Sequence, residues 1–269
     1  MTSEIVFVGL GLSGTGGMTV DALAALRECD KIYAEFYTST LIGTDVGDLE
    51  KAIGKKIEVI HRHQVEEGGE ELVSEAKDKR IGFITAGDTM AATTHVDLRI
   101  QAAIEEIPVR LFHGISVFSA CPSSLGLQPY KFGRTVTLPF LETDYHPQSP
   151  YDNIMENKIR GLHSMILLDI RAEQLRYMTA KEGIEWLLKG EEKWQGGLID
   201  DSTLLCVASK LGSKDQKLVA GYPRDLLRMD LGEPLSTLVL PGNLHFMEAH
   251  ALVFFAGAPE EILKDQPEH

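Results

Sequence analysis

Basic residues are in short supply: Lys and Arg number 26 against 40 Asp and Glu, which leaves a formal net charge of -14. Affinity for nucleic acid comes largely from cationic side chains that displace counterions from phosphates, so a DNA or RNA partner is disfavoured. A cationic protein surface is the more compatible partner. Cysteine is also sparse. Cys29, Cys121 and Cys206 are odd in number, widely spaced and without a C-x-x-C pair, which argues against a disulfide framework or a zinc knuckle and for buried reduced thiols. No apolar run approaches the ~20 residues of a membrane span, and Met1-Thr2-Ser3-Glu4 lacks the basic start of a signal peptide. A soluble cytoplasmic protein with no membrane role is expected. There is no G-x-S-x-G elbow, and Ser116 and Ser119 have no evident partner base, so hydrolase chemistry has no foothold. Repeats and low-complexity segments are lacking too.

What is present suits a packed enzyme. The chain has 269 residues and is 43% apolar, enough for one large or two modest domains at ~150 residues each. Ile5-Val6-Phe7-Val8 is a short apolar run ending in glycines, followed by a helical pattern over Thr19 to Leu26 and then Ile32-Tyr33-Ala34. That is a β-α-β unit. The alternation continues with a strand at Ile57 to Ile60, a helix near Glu66 to Asp78, a strand at Ile81 to Thr85, a helix from Thr94 to Glu106 and a strand at Val109 to Phe112. Continuous apolar strands between amphipathic helices require a parallel sheet covered on both faces.

Between Pro122 and Pro139 the composition turns to Gly126, Pro129 and Gly133, which reads as a linker and places a boundary near Gln128. The expected domains are therefore 1–127 and 128–269. Beyond the boundary, strands are expected at Ser164 to Asp169, Leu204 to Ala208 and Leu238 to Leu240, and helices near Tyr151 to Arg160, Thr179 to Lys189 and Leu244 to Phe255. The second half is also α/β, with a mixed sheet.

Gly9-Leu10-Gly11-Leu12-Ser13-Gly14 spells G-x-G-x-x-G after a strand, and Glu35 ends the next one. In a Rossmann site such a turn admits a pyrophosphate and the acid holds a ribose hydroxyl, so an NAD-dependent oxidoreductase is one reading. Against it, Gly16-Gly17 would interrupt a helix opening at the third glycine, and Thr19 with Asp21 makes a better helix start. A purely structural glycine turn is the other reading. Asp88, in Gly87-Asp88-Thr89, follows a strand at the position where open α/β sheets bind ligands, or else caps a turn. His61-x-His63 lacks a third ligand nearby, and no metal site is expected.

Longer strings point further. Gly9-Leu10-Gly11-Leu12, Ala34-Glu35-Phe36-Tyr37-Thr38-Ser39, Gly87-Asp88, Ala92-Thr93-Thr94-His95 and Leu98-Arg99 resemble the diphthine synthases in order and separation. The likeness continues through Tyr130-Lys131-Phe132-Gly133, Leu168-Asp169-Ile170, Tyr177-Met178-Thr179-Ala180, Leu240-Pro241-Gly242 and Ala256-Gly257-Ala258-Pro259. The resemblance implies the two-domain α/β fold of the tetrapyrrole methylases, with S-adenosyl-L-methionine in the cleft between the domains, S-adenosyl-L-homocysteine as product, and a homodimer.

Carried onto matching positions, the donor contacts that the resemblance implies are Leu12, Asp88, Ala91, Ser116, Val117, Leu168, Leu211 and Ser236, made mostly by backbone groups. No catalytic side chain is implied. The implied substrate is translation elongation factor 2, whose 3-amino-3-carboxypropyl-histidine is trimethylated to diphthine. A precorrin-type methyltransferase shares the fold and donor and is the alternative within it. This chain has Ala86-Gly87-Asp88-Thr89 where the family usually has Pro-Gly-Asp-Pro and Ser236 where histidine is common, and its segment His113-Gly114-Ile115-Ser116 lacks the family's common Ala-Pro before the serine.

Overall fold

The computed structural model describes residues 3–37, 39–66, 68–142 and 145–264. Thr38, in one of the strings that carry the resemblance, lies outside them. The chain divides into two compact units, Met1–Phe118 with Ile170–Leu175, and Ser119–Asp169 with Arg176–His269.

In the first unit, β1 (Glu4–Gly9), α1 (Val20–Glu28), β2 (Lys31–Glu35), α2 (Val46–Ile53), β3 (Glu58–Ile60), α3 (Arg62–Glu66), α4 (Gly69–Glu75), β4 (Arg80–Thr85), α5 (Val96–Ile104) and β5 (Val109–Phe112) follow in order. The five strands form a parallel sheet in the order β3-β2-β4-β1-β5. Along β1, an interior strand between β4 and β5, Ile5 and Phe7 join a core with Phe83 and Leu98, while Val6 and Val8 join another with Leu26, Ile32 and Ile84. Each face thus has its own apolar layer, as the continuous apolar strands require. α1 begins at Val20, where the Thr19 hydroxyl accepts the Ala22 N–H at 3.1 Å. The helix expected near Glu66 to Asp78 is instead two short helices, α3 and α4, with Gly68 at the N-cap of α4.

The second unit contains most of α6 (Val117–Leu125), then β6 (Val136–Leu138), α7 (Ser149–Ile159) and β7 (Ser164–Leu168). β8 (Ile170–Arg171), which belongs to the first unit, interrupts it, and the second unit resumes with β9 (Arg176–Tyr177), α8 (Ala180–Trp194), β10 (Leu205–Ser209), β11 (Lys217–Gly221), α9 (Pro223–Leu226), β12 (Ser236–Leu240) and α10 (Phe246–Ala256). Its sheet runs β11-β10-β12-β7-β6, parallel between β6 and β7 and antiparallel elsewhere, so it is mixed as expected. The core gathers around fully buried Trp186 of α8. A capping box starts α8: Thr179 Oγ1 accepts the Glu182 N–H, and the Glu182 carboxylate accepts the Thr179 N–H at 2.8 Å.

The division between the units falls at Phe118 and Ser119, within α6, and not at the expected 127/128. Proline and glycine there do not mark a hinge. Pro122 lies inside α6 with buried Cys121 and Leu125, and Gly126 (φ +74) is pressed against Ala251 and Phe255 of α10. Gly133 faces Asn157 so closely that a Cβ would collide with it. These residues are small because neighbours approach them, which composition alone does not distinguish from a linker.

Candidate functional site

In the first unit β4, β1 and β5 are adjacent and parallel, so the loops that follow them emerge side by side from the carboxyl edge of the sheet. Glycine lets them touch. A Cβ on Gly9 would come within 2.6 Å of both Gly114 N and Gly87 O, and one on Gly114 would collide with Gly87 O. Gly11 and Gly87 exchange backbone hydrogen bonds of 3.1 and 2.7 Å. Gly87 itself (φ +71) faces open space, with nothing within 4 Å of where its Cβ would be.

Asp88 fastens this edge. Its Oδ1 accepts the Met90 N–H at 2.9 Å, and its Oδ2 accepts the Gly114 N–H at 3.2 Å and lies 2.8 Å from His113 Nδ1. The carboxylate therefore ties the loop after β4 to the loop after β5. The Ala91 N–H returns to Asp88 O at 3.2 Å. Leu12 lies on the loop after β1, where its carbonyl accepts the Ile42 N–H at 3.4 Å. Ser116 precedes Val117 at the start of α6, and its hydroxyl accepts the Phe118 N–H at 3.3 Å. The structure thus brings Leu12, Asp88, Ala91, Ser116 and Val117 to the same edge of one sheet.

Glu35 is not at that surface. It is fully buried at the end of β2, with Oε1 3.2 Å from Nε2 of equally buried His95. His95 Nδ1 lies 2.9 Å from the Thr89 carbonyl. An acid enclosed in this way cannot hold a ribose hydroxyl, which removes the feature on which a Rossmann reading depends. Neither this pair nor the His113 contact to Asp88 was foreseen. Both join strings that are distant in sequence, and the only signal was that Glu35 and His95 each sit in a specific motif.

In the second unit Leu168 ends β7, Ser236 begins β12, and Leu211 follows β10. Thr237 pairs with Leu167 and Ser209 with Ser236, so the three residues lie toward one edge of the second sheet. Ser236 and Ser209 hydroxyls are 2.7 Å apart. Leu168, Leu211 and Ser236 are all buried.

His61 and His63 stack at 6.1 Å, but among the described residues no group of three or more His, Cys, Asp or Glu is placed to hold a metal ion. All three cysteines are buried. Burial pushes the Cys29 thiol up to about 11 and Cys121 to about 12, so neither is poised as a nucleophile. Among the described residues no helix is long and apolar enough to cross a membrane.

A family model for Tetrapyrrole (Corrin/Porphyrin) Methylases matches residues 4–226. A diphthine synthase of Methanocaldococcus jannaschii is 46% identical over 252 residues, which cover 93% of this chain and 98% of the relative. The chain belongs to the diphthine synthases, within the tetrapyrrole methylase family. A second diphthine synthase, from Methanothermobacter thermautotrophicus, is 42% identical over 261 residues, covering 97% of this chain and 98% of its own length. A crystal structure of a diphthine synthase matches with a TM-score of 0.89 at 30% identity, over 97% of this chain and 99% of that one.

Proposed function

We propose that the chain is an S-adenosylmethionine-dependent N-methyltransferase of diphthamide biosynthesis, which trimethylates the amino group of 3-amino-3-carboxypropyl-histidine on translation elongation factor 2 to give diphthine. The 46% identity across 93% of the chain to a diphthine synthase carries this reading. Its companion is the glycine-rich carboxyl edge of the first sheet, whose touching loops and open room at Gly87 suit a donor recognised through backbone groups. Leu12, Asp88, Ala91, Ser116 and Val117 in the first unit and Leu168, Leu211 and Ser236 in the second are the donor contacts we assign. A cytoplasmic homodimer is part of the same proposal.

When bound, the donor supplies a methyl group on a sulfonium, open to in-line attack by an amine. The residues then have to align and enclose, since such a displacement needs no covalent enzyme intermediate. Asp88 is already committed to two backbone N–H groups and to His113. Its work is to hold two loops in register, and moving the substrate's proton is not its part.

Calorimetric titration with S-adenosylhomocysteine and, separately, NAD tests the donor assignment. Binding of S-adenosylhomocysteine without NAD is expected. NAD binding alone would restore the oxidoreductase reading. Methylation of a corrinoid in place of elongation factor 2 would move the chain to the tetrapyrrole branch.

A further inference from the structure

The loop that carries Asp88 and Ala91 is anchored at its middle residue, Thr89, by a buried pair outside the donor edge. The Thr89 carbonyl accepts the Thr93 hydroxyl at 3.0 Å and lies 2.9 Å from His95 Nδ1. A carbonyl can only accept, so Nδ1 carries the proton. The opposite nitrogen, Nε2, packs against Glu35 Oε1 at 3.2 Å without forming a hydrogen bond, and both side chains are 0% exposed. Phe83 of β4 meets the imidazole edge-on, with centroids 5.0 Å apart. The ring is thus fixed by β4 on its face, by the end of β2 through Glu35, and by the loop it holds.

A polar pair is costly to enclose, and a fully apolar filling of the same volume is often as stable. Enclosure beneath a ligand-carrying loop makes sense if the pair sets the position of that loop. The loop has a second need for fixing, because Ala92, a residue with a Cβ, is held at φ 58 between Ala91 and the Thr93-Thr94-His95 segment. Resting on the methyltransferase assignment above, we propose that His95, oriented by Glu35, is a positioning residue that fixes the Gly87–Ala91 loop for the donor. His95 touches neither donor nor reacting amine. It acts through the Thr89 carbonyl, while the neighbouring Asp88 acts through the Met90 and Gly114 N–H groups.

The test uses the full-length chain with His95→Ala, His95→Asn and Glu35→Gln. The first readout is amide hydrogen exchange of the free protein at Met90 and Ala91, and the second is calorimetric affinity for S-adenosylhomocysteine. His95→Ala should speed exchange at both amides about tenfold, with Phe83 and Ile84 of β4 unchanged, and weaken ligand binding about tenfold, the scale of one lost buried hydrogen bond. His95→Asn places an amide nitrogen where Nδ1 stood and should restore both readouts to within about threefold. Glu35→Gln, which keeps the shape and removes the charge, should fall between them.

A merely structural pair would lower thermal stability in every variant and leave loop exchange and ligand affinity at the wild-type level, which would overturn the proposal. An asparagine variant as impaired as the alanine variant would overturn it too. If His95→Ala does not fold, the asparagine and Glu35→Gln variants decide by the same criteria. Exchange is read without ligand. A wild-type protein that ignores S-adenosylhomocysteine would therefore refute the methyltransferase reading, while exchange at Met90 and Ala91 would still judge the role of His95.

Discussion

Gly9, Gly87 and Gly114 meet at the carboxyl edge of the first sheet with no room for a side chain between Gly114 and Gly87 O. Gly114→Ala should therefore cost about 3 kcal/mol, at the upper end of overpacking effects, and urea unfolding should register it as a lowered midpoint. Asp88→Asn keeps the shape but removes the charge from three contacts. Its S-adenosylhomocysteine affinity should fall about tenfold, an equilibrium change of about 1.4 kcal/mol, checked by calorimetry. In the second unit Glu248 is enclosed with His163. Burial pushes its carboxyl up, but the His245 and Gln128 N–H groups, Lys131 and His163 outweigh this and hold it at about 2. Burial pushes His163 below its ordinary 6.5, and the Gly242 N–H donates to its Nδ1 at 2.8 Å, which fixes the neutral form. Both groups bind fewer protons folded than unfolded. Stability should thus decline as pH falls below about 6.5 through His163, and further from 4.5 toward 2 through Glu248. Glu248→Gln should flatten the lower part of a plot of unfolding free energy against pH.

Helices and strands of this chain were legible where both period and cap agreed. β5 runs over Val109–Phe112 as its apolar run predicts, and α1 starts where Thr19 and Asp21 mark a helix N-terminus. α8 was found but extends to Trp194, beyond the expected Lys189, because its buried face continues through Gly190. Thr179→Ala removes one arm of its capping box and should cost about 1 kcal/mol in urea unfolding. Elements without a strong period were missed. β6 spans only Val136–Leu138 and β11 (Lys217–Gly221) does not alternate in burial, whereas α2 was missed although its Leu49 and Ile53 face is strongly amphipathic. α6 was hidden by Pro122 and by glycines that serve close packing. At the site, the strand-end positions of Leu12, Asp88, Ala91 and Ser116 followed from the β-α-β pattern and the family strings. The Glu35 and His95 contact did not, because parallel pairing of β2 with β4 is a tertiary fact that no local pattern encodes.

As a whole molecule the chain carries -14 formal charges, which favours approach of a cationic protein face and resists phosphate polymers. If this charge speeds encounter, methylation at subsaturating elongation factor 2 should slow several-fold as salt rises from about 0.05 to about 0.5 M, across which screening shortens the reach of charge. A flat response would reduce the acidity to a matter of solubility. The central claim is the reaction itself, and mass spectrometry of the acceptor tests it most directly. Elongation factor 2 bearing the 3-amino-3-carboxypropyl-histidine is incubated with this chain and S-adenosylmethionine, and the histidine-containing peptide is weighed. Three added methyl groups on the amino nitrogen are predicted; an unchanged peptide, under conditions where a known diphthine synthase modifies it, would contradict the account.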